Sequence, residues 1–176
     1  MFGNGLEITP LGGVGYVGQN CFLYTSGGSG LVVDCGIKPQ TYQERKIAGR
    51  DNWLGIPPNL DILDERMRRG VNMMGVVTHG HLDHLGAINQ LSHRRIPVHL
   101  SQWSKNFMER YVENIVIPVG ANFSIIQQDQ KKRKELQHGD LSVRFIPLKH
   151  SIPGTFGLLI RAHGKNIVHL SDFKFN

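Results

Sequence analysis

The run Thr-His79-Gly-His81-Leu-Asp83-His84 constrains this chain more than any other feature, because it follows directly on the apolar stretch Val71 to Val77. Imidazole and carboxylate are the side chains that bind a borderline metal such as zinc, and this spacing suits two ions better than one. At an extended strand end, residues two apart point the same way, so His79 and His81 can grip one metal together. Gly80 permits a tight path. The apolar spacing then changes to Leu82, Leu85, Ile88, Leu91, close to a helical stripe. Asp83 and His84 therefore project from the mouth of a helix, displaced from the first pair and free to hold a second ion. A phosphate-type substrate would also be favoured at that helix start. A purification tag is excluded, since the cluster is internal and follows a buried-strand pattern.

Two isolated residues extend the cluster. His150 ends the apolar run Val143 to Leu148, and Asp172 follows the strand-like Ile167 to Leu170. Both occupy strand-end positions like that of His79, so one sheet edge can collect them all. A carboxylate between two ions fixes their separation at roughly 3.5–4 Å, and Asp172 is the candidate for that bridge. The plainer alternatives are a loop histidine and a turn-forming acid. Asp34 ends the run Leu31-Val-Val33 and reads either as a carboxylate that orients a ligating imidazole or as a turn cap. His93, His99, His138 and His163 lack a partner at ligand spacing, and His169 is a reserve candidate near Asp172.

Gly13-Val-Gly15-Tyr-Val-Gly18 matches a dinucleotide-binding fingerprint and has Asp34 further on. The mechanism of that motif requires a helix next, and Asn20-Cys-Phe-Leu-Tyr-Thr25 is strand-like. A tight loop between two strands, close to the active site, is the better reading.

The remaining pattern alternates strands and helices. Leu6–Leu11 is a first strand, and Asn20–Thr25 with Gly30–Cys35 forms a hairpin around Ser26-Gly27-Gly28-Ser29. Residues 36–59, with Pro39, Pro57 and Pro58, carry no period and read as a long surface excursion. Helices are expected over Ile62–Arg69, from the motif to about Arg94, and over Gln102–Asn114. Further strands are expected at Met73–Thr78, Pro97–Leu100, Ile115–Val119, Ser124–Gln127, Leu141–Leu148, Phe156–Ala162 and Asn166–Leu170. Such an order predicts a mixed sheet layered with helices, an α+β or α/β sandwich. With 176 residues and 40% apolar content the chain can bury one good core. No stretch reaches the length of a membrane span and no secretion signal begins the chain, so a cytoplasmic location is the expectation. Cys21 and Cys35 would pair only if adjacent strands brought them close, and a reduced, buried pair is expected. The net charge is +6, with basic clusters at Arg66, Arg68 and Arg69, at Arg94 and Arg95, and at Lys131-Lys-Arg-Lys134. Such a field favours an anionic partner such as RNA or DNA.

Several segments together resemble the metallo-β-lactamase superfamily and, within it, the ribonuclease J family of the β-CASP branch. They are Leu11-Gly-Gly-Val-Gly-Tyr-Val-Gly-Gln-Asn20, Val33-Asp-Cys-Gly36, the histidine motif with Leu-Gly-Ala87, His150-Ser-Ile-Pro153, and His169-Leu-Ser-Asp-Phe-Lys-Phe175. The resemblance implies an αββα sandwich over residues 1–176, with His79, His81 and His150 holding one zinc, Asp83 and His84 the other, and Asp172 bridging them. Manganese is an alternative to the two zinc ions. It also implies hydrolysis of RNA phosphodiesters, internally and from the 5′ end, with Asp83 and His84 as the catalytic pair. Leu82 stands where the family usually has an acid, and Gly154-Thr155 where it has Asp-Ser. Relatives in the family continue much further, so the chain resembles an N-terminal half that precedes the β-CASP insertion and lacks one histidine ligand. Completion would come from a C-terminal half or from a second copy in a homo-oligomer. The rival expectations are a hydrolase of small thioesters, lactones or β-lactams, and an inactive fragment.

Overall fold

In a computed structural model of the chain, residues 5–40, 55–111, 120–126 and 135–175 are described. Among the described residues ten strands form two sheets: β1 Leu6–Gly12, β2 Cys21–Ser26, β3 Ser29–Val33, β4 Asn72–Val76, β5 Val98–Ser101, β6 Phe123–Ile126, β7 Glu135–His138, β8 Leu141–Pro147, β9 Phe156–Ala162 and β10 Lys165–His169. The helices are α1 Asp61–Arg68, α2 Leu82–Leu85, α3 Ile88–His93 and α4 Gln102–Tyr111. Strands β1 to β6 lie in sequence order in one mixed sheet, antiparallel through β3 and parallel from β3 to β6. Strands β7 to β10 form a second, antiparallel sheet.

The first sheet is apolar on both faces, as a central layer must be. Leu23, Val32 and Met73 face the helices and pack with Leu63, Leu85, Ile88, Leu91 and Met108. The alternate residues Tyr24, Leu31, Val33, Met74 and Val76 face the second sheet and meet Leu141, Val143, Leu158 and Ile160. The side-chain period of two sorts the two sets onto opposite faces. The outer face of the second sheet mixes polar residues with Leu159 and the exposed Val168, and on it Glu135 bonds Ser142 and Arg161. The described residues thus supply helix, sheet and sheet of the expected αββα sandwich. Among them, no helix is long and apolar enough to cross a membrane. Cys21 and Cys35 are free and buried, and the Cys35 thiol donates to the Ala87 carbonyl at 3.2 Å.

The structure departs from the sequence pattern in three places. The single helix expected after the histidine motif is two, because neighbouring backbone captures the α2 carbonyls. Asn20 N–H bonds the Asp83 carbonyl at 2.9 Å, Cys35 N–H that of His84 at 2.8 Å and Ile37 N–H that of Leu82 at 3.0 Å. Ala87 N–H turns to the Cys35 carbonyl instead of continuing the helix. Strand β7 was not legible in the sequence, since it is four residues long and is recruited by pairing Glu135 with Arg144. Gly36 and Ile37 open no surface excursion but are buried. Residues 41–54, the expected strand Ile115–Val119, the last three residues of the expected helix to Asn114, Gln127 and the Lys131–Lys134 cluster lie outside the described residues.

Candidate metal centre

The C-terminal end of β4 meets the β8–β9 connection and the segment after β10 at one rim of the sandwich. Phe156 N–H bonds the Thr78 carbonyl at 3.0 Å, and Ser171 Oγ donates to Thr78 Oγ1 at 2.8 Å, tying the second sheet to the histidine run. Residues distant in the chain converge there. His79 Nε2 lies 3.1 Å from His81 Nδ1, and His150 Nε2 lies 3.2 Å from the same atom. Asp172 Oδ2 is 3.5 Å from His150 Nε2 and 4.0 Å from His79 Nε2. One donor atom from each of these four residues lies within 4.8 Å of all the others.

Asp172 faces two ways. Its other oxygen, Oδ1, is 3.6 Å from His84 Nε2, and Asp83 Oδ2 is 3.7 Å from that same nitrogen. Asp83, His84 and Asp172 thus make a second group of donors that shares Asp172 with the first. The Asp172 side chain is 47% exposed whereas His79 is fully buried, so the mouth lies on the Asp172 side. A cavity of about 360 Å³ adjoins it, lined among others by Phe22, Tyr24, His84, His169 and Asp172.

Asp34 sets the polarity of the whole arrangement. Its carboxylate accepts Thr78 N–H at 2.7 Å, Thr78 Oγ1–H at 2.8 Å and His84 Nδ1–H at 2.7 Å. Burial alone would raise its pKa, but the adjoining His84 and these hydrogen bonds hold it below the ordinary carboxylate value. An ionised carboxylate only accepts. The Thr78 hydroxyl proton is therefore committed to Asp34 and that of Ser171 to Thr78, which leaves both hydroxyl oxygens as acceptors. His79 Nδ1, 3.1 Å from Thr78 Oγ1 and 3.2 Å from Ser171 Oγ, must carry the proton. His79, and His84 in its neutral form, thus present a bare Nε2 to the interior. His150 has no such anchor, since its buried Nδ1 has no partner among the described residues.

The backbone pays for this placement at Asp34, a non-glycine residue at φ 62° held by its N–H to the Val76 carbonyl at 2.8 Å. Two residues on, a Cβ at Gly36 would collide with the Asp83 carbonyl. Only glycine lets this segment come close enough to bond α2.

These residues fit divalent cations. Three ring nitrogens that converge at 3.1–3.2 Å set lone pairs against one another unless a proton or a metal ion lies between them. Burial first, then the neighbouring His84, lowers the His79 pKa to about 3, so its imidazole is neutral and ready to ligate. Burial opposes charge on His84 as well, but Asp34, Asp83 and Asp172 outweigh it and raise its pKa. The donor set of imidazoles and carboxylates suits zinc, manganese and similar ions.

The sequence reading missed Asn20, Thr78 and Ser171. Asn20 Nδ2 lies 3.0 Å from His84 Nε2 and donates to the Asp83 carbonyl at 3.1 Å. Its only signal in the sequence is a polar residue between a glycine loop and a buried strand. The reserve candidate His169 turns to Tyr24 instead, its Nδ1 2.8 Å from the phenol oxygen. His93, His99, His138 and His163 are outside the cluster. The glycine-rich segment is followed by β2 rather than a helix, so it offers no helix N-terminus for a pyrophosphate.

Residues 69–175 match the family model described as the β-lactamase superfamily domain. The chain belongs to the β-lactamase superfamily. It is 33% identical to the ribonuclease J of Sinorhizobium meliloti over 97% of its own length, which is 29% of that protein. It is 30% identical to the ribonuclease J of Mycolicibacterium smegmatis, with 98% and 29% covered. The chain therefore spans less than a third of the length of these relatives. Among solved structures, a protein of unknown function from Enterococcus faecalis V583 superposes with a TM-score of 0.65 at 22% identity, with 96% of this chain and 44% of that one covered. The metallo-β-lactamase fold protein YhfI of Bacillus subtilis gives 0.59 at 16% identity, with 93% and 60% covered. The fold is that of the metallo-β-lactamases, and the histidine and aspartate cluster at its rim is one that could hold a metal ion.

Proposed function

We propose that the chain carries the metal centre of a phosphodiester hydrolase that acts on RNA in the manner of a ribonuclease J, cutting internally and from the 5′ end. The observation that carries this reading is the convergence of His79, His81, His150 and Asp172 around one point, with Asp83 and His84 across Asp172. The similarity to ribonuclease J over nearly the whole chain supports RNA as substrate. In this reading His79, His81 and His150 would hold one zinc or manganese ion, Asp83 and His84 would hold another, and Asp172 would lie between the two sets.

When bound, such ions supply Lewis acidity, which acidifies water toward neutral pH and offsets charge on phosphoryl oxygens. The protein does the rest. Asp34 keeps the His84 lone pair in place, and Thr78 with Ser171 does the same for His79. Asp83 accepts a hydrogen bond from the attacking water and aims its lone pair at phosphorus. Lys149 and Lys174, joined by the 2.8 Å bond from Lys174 N–H to the Lys149 carbonyl, would hold backbone phosphates in this reading. The reaction is proposed to take place in the cytoplasm.

Chelator-treated protein is expected to lose cleavage of single-stranded RNA and to regain it with zinc or manganese. His81→Ala should stay inactive in both conditions, as read by gel analysis of a labelled oligonucleotide. Cleavage by His81→Ala at the parent rate would refute the proposal.

A further inference from the structure

Two sets of donors face Asp172, but they differ in what else touches them. Among the described residues, no amide or hydroxyl from outside the cluster is aimed at His79 Nε2, His81 Nδ1 or His150 Nε2. His84 Nε2 is different. In the neutral ring, with Nδ1–H given to Asp34, Nε2 holds the lone pair, and the Asn20 amide sits 3.0 Å away. The orientation of that amide is not free to choose. Its nitrogen also lies 3.1 Å from the Asp83 carbonyl and 3.4 Å from Asp83 Oδ2, both acceptors, so the NH₂ group must face them. One hydrogen goes to the carbonyl and the other to His84.

The surrounding loop holds Asn20 in this pose. A Cβ at Gly13, which has φ +77°, would lie 2.7 Å from Asn20 Oδ1, so the amide oxygen packs against a bare α-carbon. Next to Asn20, Gln19 gives its N–H to the Ile37 carbonyl at 2.9 Å and its Nε2 to the Pro57 carbonyl at 2.7 Å, while the Tyr16 hydroxyl bonds its Oε1. Asn20 N–H itself bonds the Asp83 carbonyl. The residue is fixed from both sides, with its amide on the lone pair of a second-position donor.

We propose that Asn20 is a latch on the second cation position: its amide N–H occupies the His84 lone pair until a cation displaces it, so the two positions fill in order, the His79–His81–His150 position first. This rests on the two-cation reading of the site given above. A net hydrogen bond of this kind is worth about 1 kcal/mol, so removing the latch should tighten the second step roughly fivefold.

The test is calorimetric titration of the chelator-stripped chain with zinc chloride. The parent is expected to bind in two separated steps. In Asn20→Ala the second step should tighten roughly fivefold and the first stay unchanged. A folded Asn20→Ala whose second step is unchanged or weaker overturns the latch. The parent offers an independent reading by nitrogen-15 NMR, which needs no variant: the Asn20 side-chain amide signals should move with the second equivalent of zinc and not with the first. Movement with the first equivalent overturns the order of filling. If the parent takes up only one ion at saturation, the two-cation reading itself fails and the latch goes with it. Two ions with an indifferent Asn20 would leave that reading standing and reject the latch alone.

Discussion

Asp34 does more than any other single side chain to make the cluster fit for metal, although it stands one residue behind the donors. Its carboxylate accepts three hydrogen bonds and so decides which nitrogen of His84 carries the proton. Asp34→Asn would offer His84 Nδ1 an N–H instead, force the proton onto Nε2 and block the lone pair. Metal affinity at that position is expected to fall about 10- to 100-fold, measured by zinc titration against a competing indicator. Titration of the two buried histidines gives the metal-free chain a stability maximum. His79 protonates only near pH 3 when folded but near 6.5 when unfolded, so the unfolded state binds more protons in between and stability falls as pH drops through that window. His84 has its folded value raised, so its contribution is complete below 6.5 and is lost as pH rises through that folded value. Thermal melts of chelator-treated protein should therefore peak near pH 6.5. His79→Gln is expected to flatten the acid limb and His84→Gln the alkaline one.

At the scale of elements, the site depends on how α2 is held rather than on the intrinsic stability of the helix. A four-residue helix has almost no stability of its own. Its carbonyls at Leu82, Asp83 and His84 are taken by backbone N–H groups of Ile37, Asn20 and Cys35, which fix the direction of Asp83 and His84. Gly36 lets that segment approach, because any side chain there would meet the Asp83 carbonyl. Gly36→Ala should cost about 1–3 kcal/mol in urea denaturation, and also weaken zinc binding at the Asp83–His84 side. Loss of stability with both zinc steps intact would contradict this view of α2.

Over the whole molecule, the sandwich brings three segments to one rim, and the chain carries a net charge of +6. If RNA is the ligand, binding should weaken steeply with salt, because phosphate contacts release counterions. Replacing Lys149 and Lys174 together by alanine is expected to flatten the log–log salt slope for single-stranded RNA by about 1.4, two contacts at about 0.7 each. Fluorescence anisotropy with chelator-treated protein reads this without turnover. A hydrolase of small neutral esters would show almost no salt dependence, and an unchanged slope in the double variant would remove these lysines from the RNA path.

The sequence alone determined the layers and marked where metal-binding residue types gather. Period-two apolar runs fixed most strands, the hairpin turn at Gly27-Gly28 formed where the glycines stand, and metal-binding residue types in a dense run marked His79 to His84. Local rules reach that far because they act between neighbours in the chain. The fold decided what depends on distant contacts: that α2 and α3 are separate, that β7 pairs at all, and that Asn20, Thr78 and Ser171 touch the imidazoles. Asn20 lies 64 residues from His84, and Ser171 lies 92 from His79. Hydrogen bonds across such separations leave no periodicity in the sequence, since each is set by the packing of one sheet on the other and of a glycine loop against a helix end.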